Sequence, residues 1–355
     1  MHIYIAIKKF YQLGGMERYF RDIVNYLYSQ NINIGVYSNK FDDLLPESSK
    51  INQHYFFNSK ILSKLSFLNR NTFLRKIARL NHISPIIAPS KLVSDITICG
   101  GTHLGYVKSM NQPNLSFHDK SQIKEEKDSF KYSKIIIAHH DQMAKELIDL
   151  YDISENKIKI LYPPINNNFK VFSLEERILF RKNYNFKKDE IYLLFPSSGH
   201  KRKGLDLILK ALESVNNPKV KLVVVGKTLP NEYKKYRNII ELGYCHEMGK
   251  LYAASDFTIL ASIYEPFGLV LIESILSGTP VIASVNIGAT SLLSNQVCHK
   301  FTPNDLDSLI ETIKYSINLI KENKFKNITS PKEHILYNYS IKYHMDQLIS
   351  MAKSI

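Results

Sequence analysis

The feature that most constrains the fold is an alternation of short apolar runs with loops and helical segments. The opening run HIYIAI (2–7) precedes a loop with two glycines, a segment of helical period (16–30) and a second apolar run, NINIGVYSN (31–39). The apolar residues of the helical segment share one face: Met16, Phe20, Ile23, Val24 and Leu27. This order of strand, loop, helix and strand predicts parallel strands joined by crossover helices.

The same alternation is repeated on both sides of one break. Further apolar runs occupy residues 95–101, 134–140, 157–164, 191–199, 221–226, 257–262 and 280–284. The break, YPPINNNF (162–169), contains two prolines and three asparagines, which suit neither a helix nor a central strand. The pattern therefore predicts an α/β protein with two doubly wound, Rossmann-like domains.

The predicted domain boundaries follow from this break and from the length of 355 residues, which exceeds the usual size of a single core. We predict an N-terminal domain over residues 1–165 and a C-terminal domain over 166–332. A helix-like run follows Pro331 and predicts a C-terminal helix within 333–355, long enough to return to the first domain.

The cysteines and the amino terminus indicate a cytoplasmic protein. Cys99, Cys245 and Cys298 are scattered without zinc-binding spacing, as expected in a reducing compartment. In the opening segment the charges follow the apolar stretch, which is the reverse of a signal peptide. No apolar run approaches the roughly 18 residues of a membrane span.

The net charge of +14 predicts an anionic partner, such as nucleic acid, a membrane surface or a phosphorylated ligand. A compositional bias toward Lys, Asn and Ile is the alternative explanation. The 22 tyrosines and 18 phenylalanines do not interleave with cations as in a nucleic-acid-binding module, so we predict no nucleic-acid partner.

One segment, Lys60 to Arg79, carries six cations and no acid on a broken helical pattern. Such a segment suits an anionic membrane interface, with its apolar face toward the lipid. A helical hairpin with a solvated basic face explains the same pattern, and both interpretations stay open.

Two loops after strands predict contacts to an anionic ligand, because parallel sheets bind ligands at the carboxyl ends of their strands. QLGGME (12–17) places Gly14 and Gly15 before a helix, although a tight turn without a ligand explains them equally. SSGHKRKGLD (197–206) places Arg202 and Lys203 where they could neutralise a diphosphate; the alternative is a solvated basic turn.

The strongest signal is the segment YEPFGLVLIE (264–273), in which seven residues separate Glu265 from Glu273. Glu265 lies in the loop after a strand, and Gly268 opens a helix whose first amides favour an anion. Glu273 lies within an apolar run, where an unpaired acid is costly. Its carboxylate is therefore expected to accept hydrogen bonds from vicinal hydroxyls.

A histidine completes the set of candidates. His103 follows the strand DITI within ICGGTHLGY (98–106), and a histidine at that strand end is expected to point into the cleft. An ordinary surface or core histidine is the alternative, and His103 is our first choice among the histidines. His118-Asp119 and His139-His140 are weaker rivals. We predict no metal site, and we interpret Asp305 as a helix cap.

These motifs together resemble one family. EPFGLVLIE, preceded by RKGLDLIL and by a Gly-Gly loop after the first strand, resembles the retaining GT-B glycosyltransferases of family 4 over nearly the whole chain. Within that family, the GGMERYF start and the compact length are most similar to the sugar transferases of bacterial lipopolysaccharide cores. The resemblance implies two Rossmann-like domains that face each other across a cleft, with a C-terminal helix crossing back.

The resemblance also implies a role for each candidate residue. Arg202 and Lys203 would bind the donor diphosphate, Glu265 the transferred sugar and Glu273 the ribose. His103 would stand near the reacting carbon. Further donor contacts would come from Gly14, Gly15, Gly226, Phe267, Gly268, Leu269 and Val270, with Tyr244 beside the base.

The activity implied is retaining, metal-independent hexosyl transfer, without a cofactor, from a nucleotide-diphosphate sugar (UDP-sugar favoured) to a glycan or glycolipid such as lipopolysaccharide core. The enzyme would be peripheral on the inner face of the cytoplasmic membrane. The alternatives are another acceptor (lipid, protein or small molecule) and a non-catalytic protein that binds anionic surfaces. The sequence predicts no oligomeric state.

Overall fold

The computed structural model describes residues 2–12, 14–56, 69–80, 85–165, 168–322 and 328–355. The chain forms two compact units. Unit 1 comprises Met1–Pro164 and Asn338–Ile355, and unit 2 comprises Ile165–Tyr337. The segment that joins them coincides with the proline-rich break in the sequence.

Unit 1 is built on a seven-stranded parallel sheet in the order β3-β2-β1-β4-β5-β6-β7. Its strands are β1 His2–Ile7, β2 Asn33–Ser38, β3 Asn52–Tyr55, β4 Ile86–Pro89, β5 Ile96–Cys99, β6 Ile135–Ala138 and β7 Ile158–Ile160. The helices in the first part of the chain are α1 Gly15–Ser29, α2 Asn69–Leu80, α3 His103–Ser109, α4 Phe117–Tyr132 and α5 Asp141–Tyr151. The strand order reverses between β1 and β4, which defines the switch point where such sheets bind ligands.

Unit 2 repeats this plan with six parallel strands in the order β10-β9-β8-β11-β12-β13. The strands are β8 Ile191–Ser197, β9 Val220–Gly226, β10 Ile239–Gly243, β11 Phe257–Leu260, β12 Val281–Ser284 and β13 Cys298–Phe301. The helices are α6 Leu174–Asn183, α7 Leu205–Val215, α8 Met248–Ala254, α9 Leu269–Leu276 and α10 Leu306–Lys321. The switch point lies between β8 and β11. As predicted, Asp305 caps α10 through the amide of Ser308.

The central strands are predominantly apolar because helices cover both faces of each sheet. Every residue of β5, β8, β11 and β12 is buried. The predicted face of α1 is also buried, with Phe20, Ile23, Val24 and Leu27 fully enclosed. Enclosing each such side chain contributes about 1.5–3 kcal/mol relative to leaving it in water.

Helix α11 (Ile341–Lys353) returns to unit 1 and packs against α1, as predicted. His344 accepts a hydrogen bond from the Tyr19 hydroxyl at Nε2 (2.7 Å) and donates from Nδ1 to the Tyr162 carbonyl (3.0 Å). The helix begins at Ile341 rather than near 333 because Ile335 forms a β-bridge with Leu293 in unit 2.

The basic segment Lys60 to Arg79 is only partly described, since residues 57–68 lie outside the described ranges. Its second part forms α2, in which Leu74 is fully buried and the Asn71 side chain accepts a hydrogen bond from the Val93 amide. Arg75 lies 3.6 Å from Asp128 on α4. Among the described helices, none is both long and apolar enough to cross a bilayer.

Candidate functional site

The predicted site residues of unit 2 gather at its switch point, after β8 and β11. Arg202 follows β8, and its guanidinium donates hydrogen bonds to the Glu265 carboxylate (2.8 Å) and to the Tyr264 carbonyl (2.6 Å). Both side chains keep some exposure, 28% for Arg202 and 17% for Glu265. The structure thus brings together a cation and a carboxylate that lie 63 residues apart in the sequence, and both remain accessible to a ligand.

Lys203 occupies a different environment from its neighbour. Its side chain is buried, and its ammonium donates to the carbonyl of Pro196 in β8 (3.0 Å). Burial lowers the pKa of Lys203, whereas the Glu265 and Glu273 carboxylates act in the opposite direction. Lys203 therefore supplies positive charge from a buried position below the loop that follows β8, whereas the Arg202 guanidinium is partly exposed.

Glu273 lies on α9 and is buried, as its apolar neighbours in the sequence suggest. The hydroxyl of Tyr252 on α8 donates to Glu273 Oε2 (3.0 Å). This hydrogen bond orients the Glu273 carboxylate, which also interacts electrostatically with the Lys203 ammonium.

The start of α9 presents backbone amides near these side chains. Gly268 caps the helix with φ +88° and has no side chain to accept the first amides, which belong to Leu269 and Val270. The Phe267 carbonyl accepts a hydrogen bond from the Ala289 amide (2.7 Å), which holds the loop. The geometry favours an anion or a polar oxygen at this helix start.

Gly226 ends β9 at the same edge with φ +117°. A Cβ at this position would lie 2.4 Å from the Ser197 carbonyl oxygen, so no larger residue fits without displacing backbone. Tyr244 follows β10 and is 59% exposed, with its ring edge-on to His246 at 4.8 Å. The contact of Tyr244 with a nucleotide base stays a prediction.

Three residues at this edge have buried polar atoms and were not among the site residues predicted from sequence. The hydroxyls of Ser197 and Ser262 and the Nδ1 atom of His200 have no hydrogen-bond partner within the described chain. Such groups are costly when unsatisfied, so they mark a place where a polar ligand would be stabilised. The available signal was a serine at or just beyond the end of two apolar strands, Ser197 in β8 and Ser262 after β11.

Unit 1 has a cavity of about 350 Å³ at its own switch point. Its lining comes from the ends of β1, β4 and β5 and from the helices that follow them, including Lys8, Met16, Glu17, Lys91, His103 and Glu126. Gly14 caps α1 with φ +114°, and Gly15 begins the helix beside open space. The predicted glycine loop and the predicted histidine therefore belong to one edge of unit 1.

His103 is the first residue of α3 and lies at the wall of this cavity. Its Nε2 atom is 2.8 Å from the Asp119 carboxylate. Hydrogen bonds from Ser116 and His103 lower the pKa of Asp119 to about 2, and burial lowers the pKa of His103. The ring is therefore neutral at neutral pH, with its proton on Nε2 and an acceptor lone pair on Nδ1.

The rival histidines are less suited to contact a ligand. His139 is buried, and burial lowers its pKa to about 3. His140 caps α5 by accepting from the Gln142 amide (3.2 Å). His118 is exposed, with its ring 6.3 Å from that of His103.

Glu126 on α4 also lines the unit 1 cavity, and the sequence did not single it out. It is 1% exposed and accepts a hydrogen bond from the His103 amide (2.8 Å). Burial is the main reason that its pKa rises to about 7. Its position between Ile123 and Phe130 at helical spacing was the only signal that it faces inward.

Two family models match most of the chain. One, described as Glycosyltransferase Family 4, matches residues 13–169, and the other, described as Glycosyl transferases group 1, matches residues 176–329. A probable transglycosylase of Burkholderia thailandensis is 32% identical over 343 residues, which cover 96% of this chain and 93% of that relative.

Solved structures share the fold. WaaG, a glycosyltransferase involved in lipopolysaccharide biosynthesis, aligns with a TM-score of 0.81 at 15% identity over 99% of this chain and 100% of that chain. HepE of Anabaena, solved in complex with UDP and glucose, aligns with a TM-score of 0.76 at 18% identity over the full length of both chains.

Proposed function

The chain belongs to family 4 of the GT-B glycosyltransferases, and from this premise we propose that it transfers a hexose from a nucleotide-diphosphate sugar to a hydroxyl of a glycan or glycolipid. The proposed reaction retains the anomeric configuration and needs no metal or cofactor. The observation that carries the proposal is the grouping of Arg202, Lys203, Glu265 and Glu273 around one switch point.

The donor would bind to unit 2. Arg202 would exchange its contact with Glu265 for the diphosphate, and Lys203 would add positive charge from below. Glu273 would accept hydrogen bonds from the ribose hydroxyls. The amides of Leu269 and Val270 and the unsatisfied hydroxyls of Ser197 and Ser262 would complete the polar contacts.

Catalysis would consist of stabilising the charge that develops as the sugar–phosphate bond breaks. Arg202 and Lys203 would neutralise the departing diphosphate, and such preorganised charge is usually the largest single contribution to catalysis. Glu265 would hold hydroxyls of the transferred sugar. In a front-face reaction the departing phosphate oxygen takes the proton of the attacking hydroxyl, which accounts for retention without a carboxylate nucleophile.

The acceptor would bind to the cavity of unit 1. The neutral ring of His103 would accept a hydrogen bond from a sugar hydroxyl at Nδ1. Fold neighbours solved with UDP and glucose and with a role in lipopolysaccharide biosynthesis support a UDP-hexose donor and an acceptor such as lipopolysaccharide core. We further propose a cytoplasmic location at the inner membrane face, supported by the six cations between Lys60 and Arg79.

A product assay tests this function. The protein is incubated with UDP-glucose or UDP-galactose, with and without deacylated lipopolysaccharide core, and with or without EDTA. We expect acceptor-dependent release of UDP, an α-linked product by NMR and no effect of EDTA. A β-linked product contradicts retention, inhibition by EDTA contradicts metal independence, and conversion of one UDP-sugar into another indicates an epimerase instead.

A further inference from the structure

The first turn of α3 is completely capped by side chains of unit 1. The His103 amide donates to Glu126 Oε2 (2.8 Å), the Leu104 amide to the Tyr151 hydroxyl (3.1 Å) and the Gly105 amide to the Thr102 hydroxyl (3.0 Å). The first amides of a helix are satisfied by capping side chains, by water or by a bound anion. Here they are fully used by the protein, so this helix start positions a residue instead of binding a phosphate.

Glu126 is the central member of this cap. Its carboxylate also accepts a hydrogen bond from the Tyr151 hydroxyl, and the oxygen of that hydroxyl accepts a hydrogen bond from the Leu104 amide. One buried acid thereby binds the backbone of His103 directly and that of the next residue through Tyr151. Burying a carboxylate to this extent costs free energy unless hydrogen bonds compensate it. Glu126 also lines the cavity that His103 borders.

We propose that Glu126 is a positioning residue of the transfer reaction, which fixes the His103 ring at the wall of the unit 1 cavity through the His103 backbone amide. This inference rests on the proposed function, in which His103 contacts the acceptor. This positioning role differs from a general structural role because the strength of the hydrogen bond from the His103 amide depends on the charge of the Glu126 carboxylate.

The hydrogen bond from the His103 amide to Glu126 should depend on pH, because Glu126 is titratable and lies among other charged and titratable groups. The Lys91 ammonium, after β4, lies 3.9 Å from Glu126 Oε1. Tyr151 on α5, Cys99 on β5 and Glu125 on α4 also interact with the Glu126 carboxylate. Burial raises the pKa of Glu126 to about 7. The ionised form accepts the amide most strongly, so this hydrogen bond weakens as the pH falls through neutrality.

The test compares Glu126→Gln with Glu155→Gln. Glutamine keeps an acceptor oxygen for the His103 amide but does not titrate. Glu155 is an exposed acid of unit 1 and serves as the control. Wild type and Glu155→Gln should lose kcat/KM toward acid with a midpoint near pH 7, whereas Glu126→Gln should lack that step, with kcat about 10-fold lower and its Kd for UDP within twofold of wild type.

A second readout does not require activity. The imidazole signals of His103, assigned with a His103→Asn variant, should show an NMR titration step near pH 7 in the wild type that disappears in Glu126→Gln. Circular dichroism checks that both variants are folded. If Glu126→Gln keeps the same step as the wild type, the inference is wrong. If the step disappears but no sugar nucleotide or acceptor is used, the positioning stands and the proposed function fails.

Discussion

At the scale of single residues, the site of unit 2 is defined by side chains that contact one another. Arg202 and Glu265 form an ion pair, and Lys203 and Glu273 are buried next to it. Arg202, Lys203 and Glu265 lie in loops that follow strands at the switch point, so the strand-end rule predicted them from sequence. Glu273 lies within α9 and was predicted from its spacing to Glu265 and its apolar neighbours. The rule also accounts for His103, but not for Glu126, which lies in mid-helix and binds a backbone amide 23 residues away.

Replacing Glu265 by alanine should separate transfer from nucleotide binding. We expect kcat to fall about 10²- to 10³-fold because a contact to the reacting sugar is lost. The Kd for UDP should change by less than about threefold, since Arg202 keeps its charge. Steady-state kinetics and calorimetry measure both quantities, with exposed Glu213→Ala as the control. A rise in KM with unchanged kcat would show that Glu265 only contributes to ground-state binding.

The two adjacent glycines of the first loop should respond differently to substitution. Gly14 has φ +114°, and a Cβ there would lie 1.9 Å from the Glu17 carboxylate, whereas Gly15 has nothing within 4 Å. We expect Gly14→Ala to lower the free energy of unfolding by roughly 1–3 kcal/mol and Gly15→Ala to leave it unchanged or raise it. Thermal unfolding of both variants tests this, and equal Tm values would contradict it.

At the scale of secondary structure, the sequence predicted the central strands better than the peripheral ones. The apolar runs identified β1, β2, β5 to β9, β11 and β12. Strands β3 (NQHY), β10 (IIELG) and β13 (CHKF) carry polar residues because they lie at or near a sheet edge. Strand β4 is central but short; it follows Pro85 and ends at Pro89, and prolines are unusual in a central strand. Pro85 still contributes its carbonyl, which accepts from the Tyr4 amide (3.0 Å).

The docking of α11 on α1 should make unit 1 sensitive to acid. Burial lowers the pKa of His344 to about 4, below the 6.5 expected when unfolded. A base with a depressed folded pKa stabilises the fold fully above 6.5, and that contribution is lost as the pH falls toward 4. Over this whole window the loss amounts to about 3 kcal/mol at most.

The measurement is Tm as a function of pH for wild type, His344→Gln and exposed His118→Gln. Between pH 6.5 and 5 the Tm of wild type and of His118→Gln should fall more steeply than that of His344→Gln. The opposite contribution of Glu126, whose pKa is raised, is common to all three proteins and cancels in the comparison. Identical slopes would show that His344 does not couple protonation to the docking of α11.

At the scale of the whole molecule, the net charge of +14 has two separate explanations. Arg202 and Lys203 belong to the proposed donor site. The six cations between Lys60 and Arg79 suggest attraction to anionic lipid, worth up to about 1 kcal/mol for each cation near the surface. The remaining excess needs no explanation beyond a lysine-rich composition.

Vesicle binding tests the second explanation. A variant in which these six cations are replaced by glutamine should bind phosphatidylglycerol vesicles at least 10-fold more weakly than wild type at 0.15 M salt. Its affinity for UDP should be unchanged. Sedimentation with the vesicles measures the difference, and zwitterionic phosphatidylcholine vesicles serve as the control. Equal binding of both proteins to the anionic vesicles would assign these charges to the solvated surface.

The central claim is that the switch point of unit 2 binds the nucleotide of the donor. Calorimetric titration of UDP into wild type, Glu273→Ala, Tyr252→Phe and Glu213→Ala tests it most directly. We predict saturable binding to wild type and Glu213→Ala, a 10- to 100-fold weaker Kd for Glu273→Ala because hydrogen bonds to a charged group are lost, and a smaller loss for Tyr252→Phe, which keeps the carboxylate. Failure of wild type to bind UDP, GDP or ADP, or wild-type affinity in Glu273→Ala, would contradict the claim.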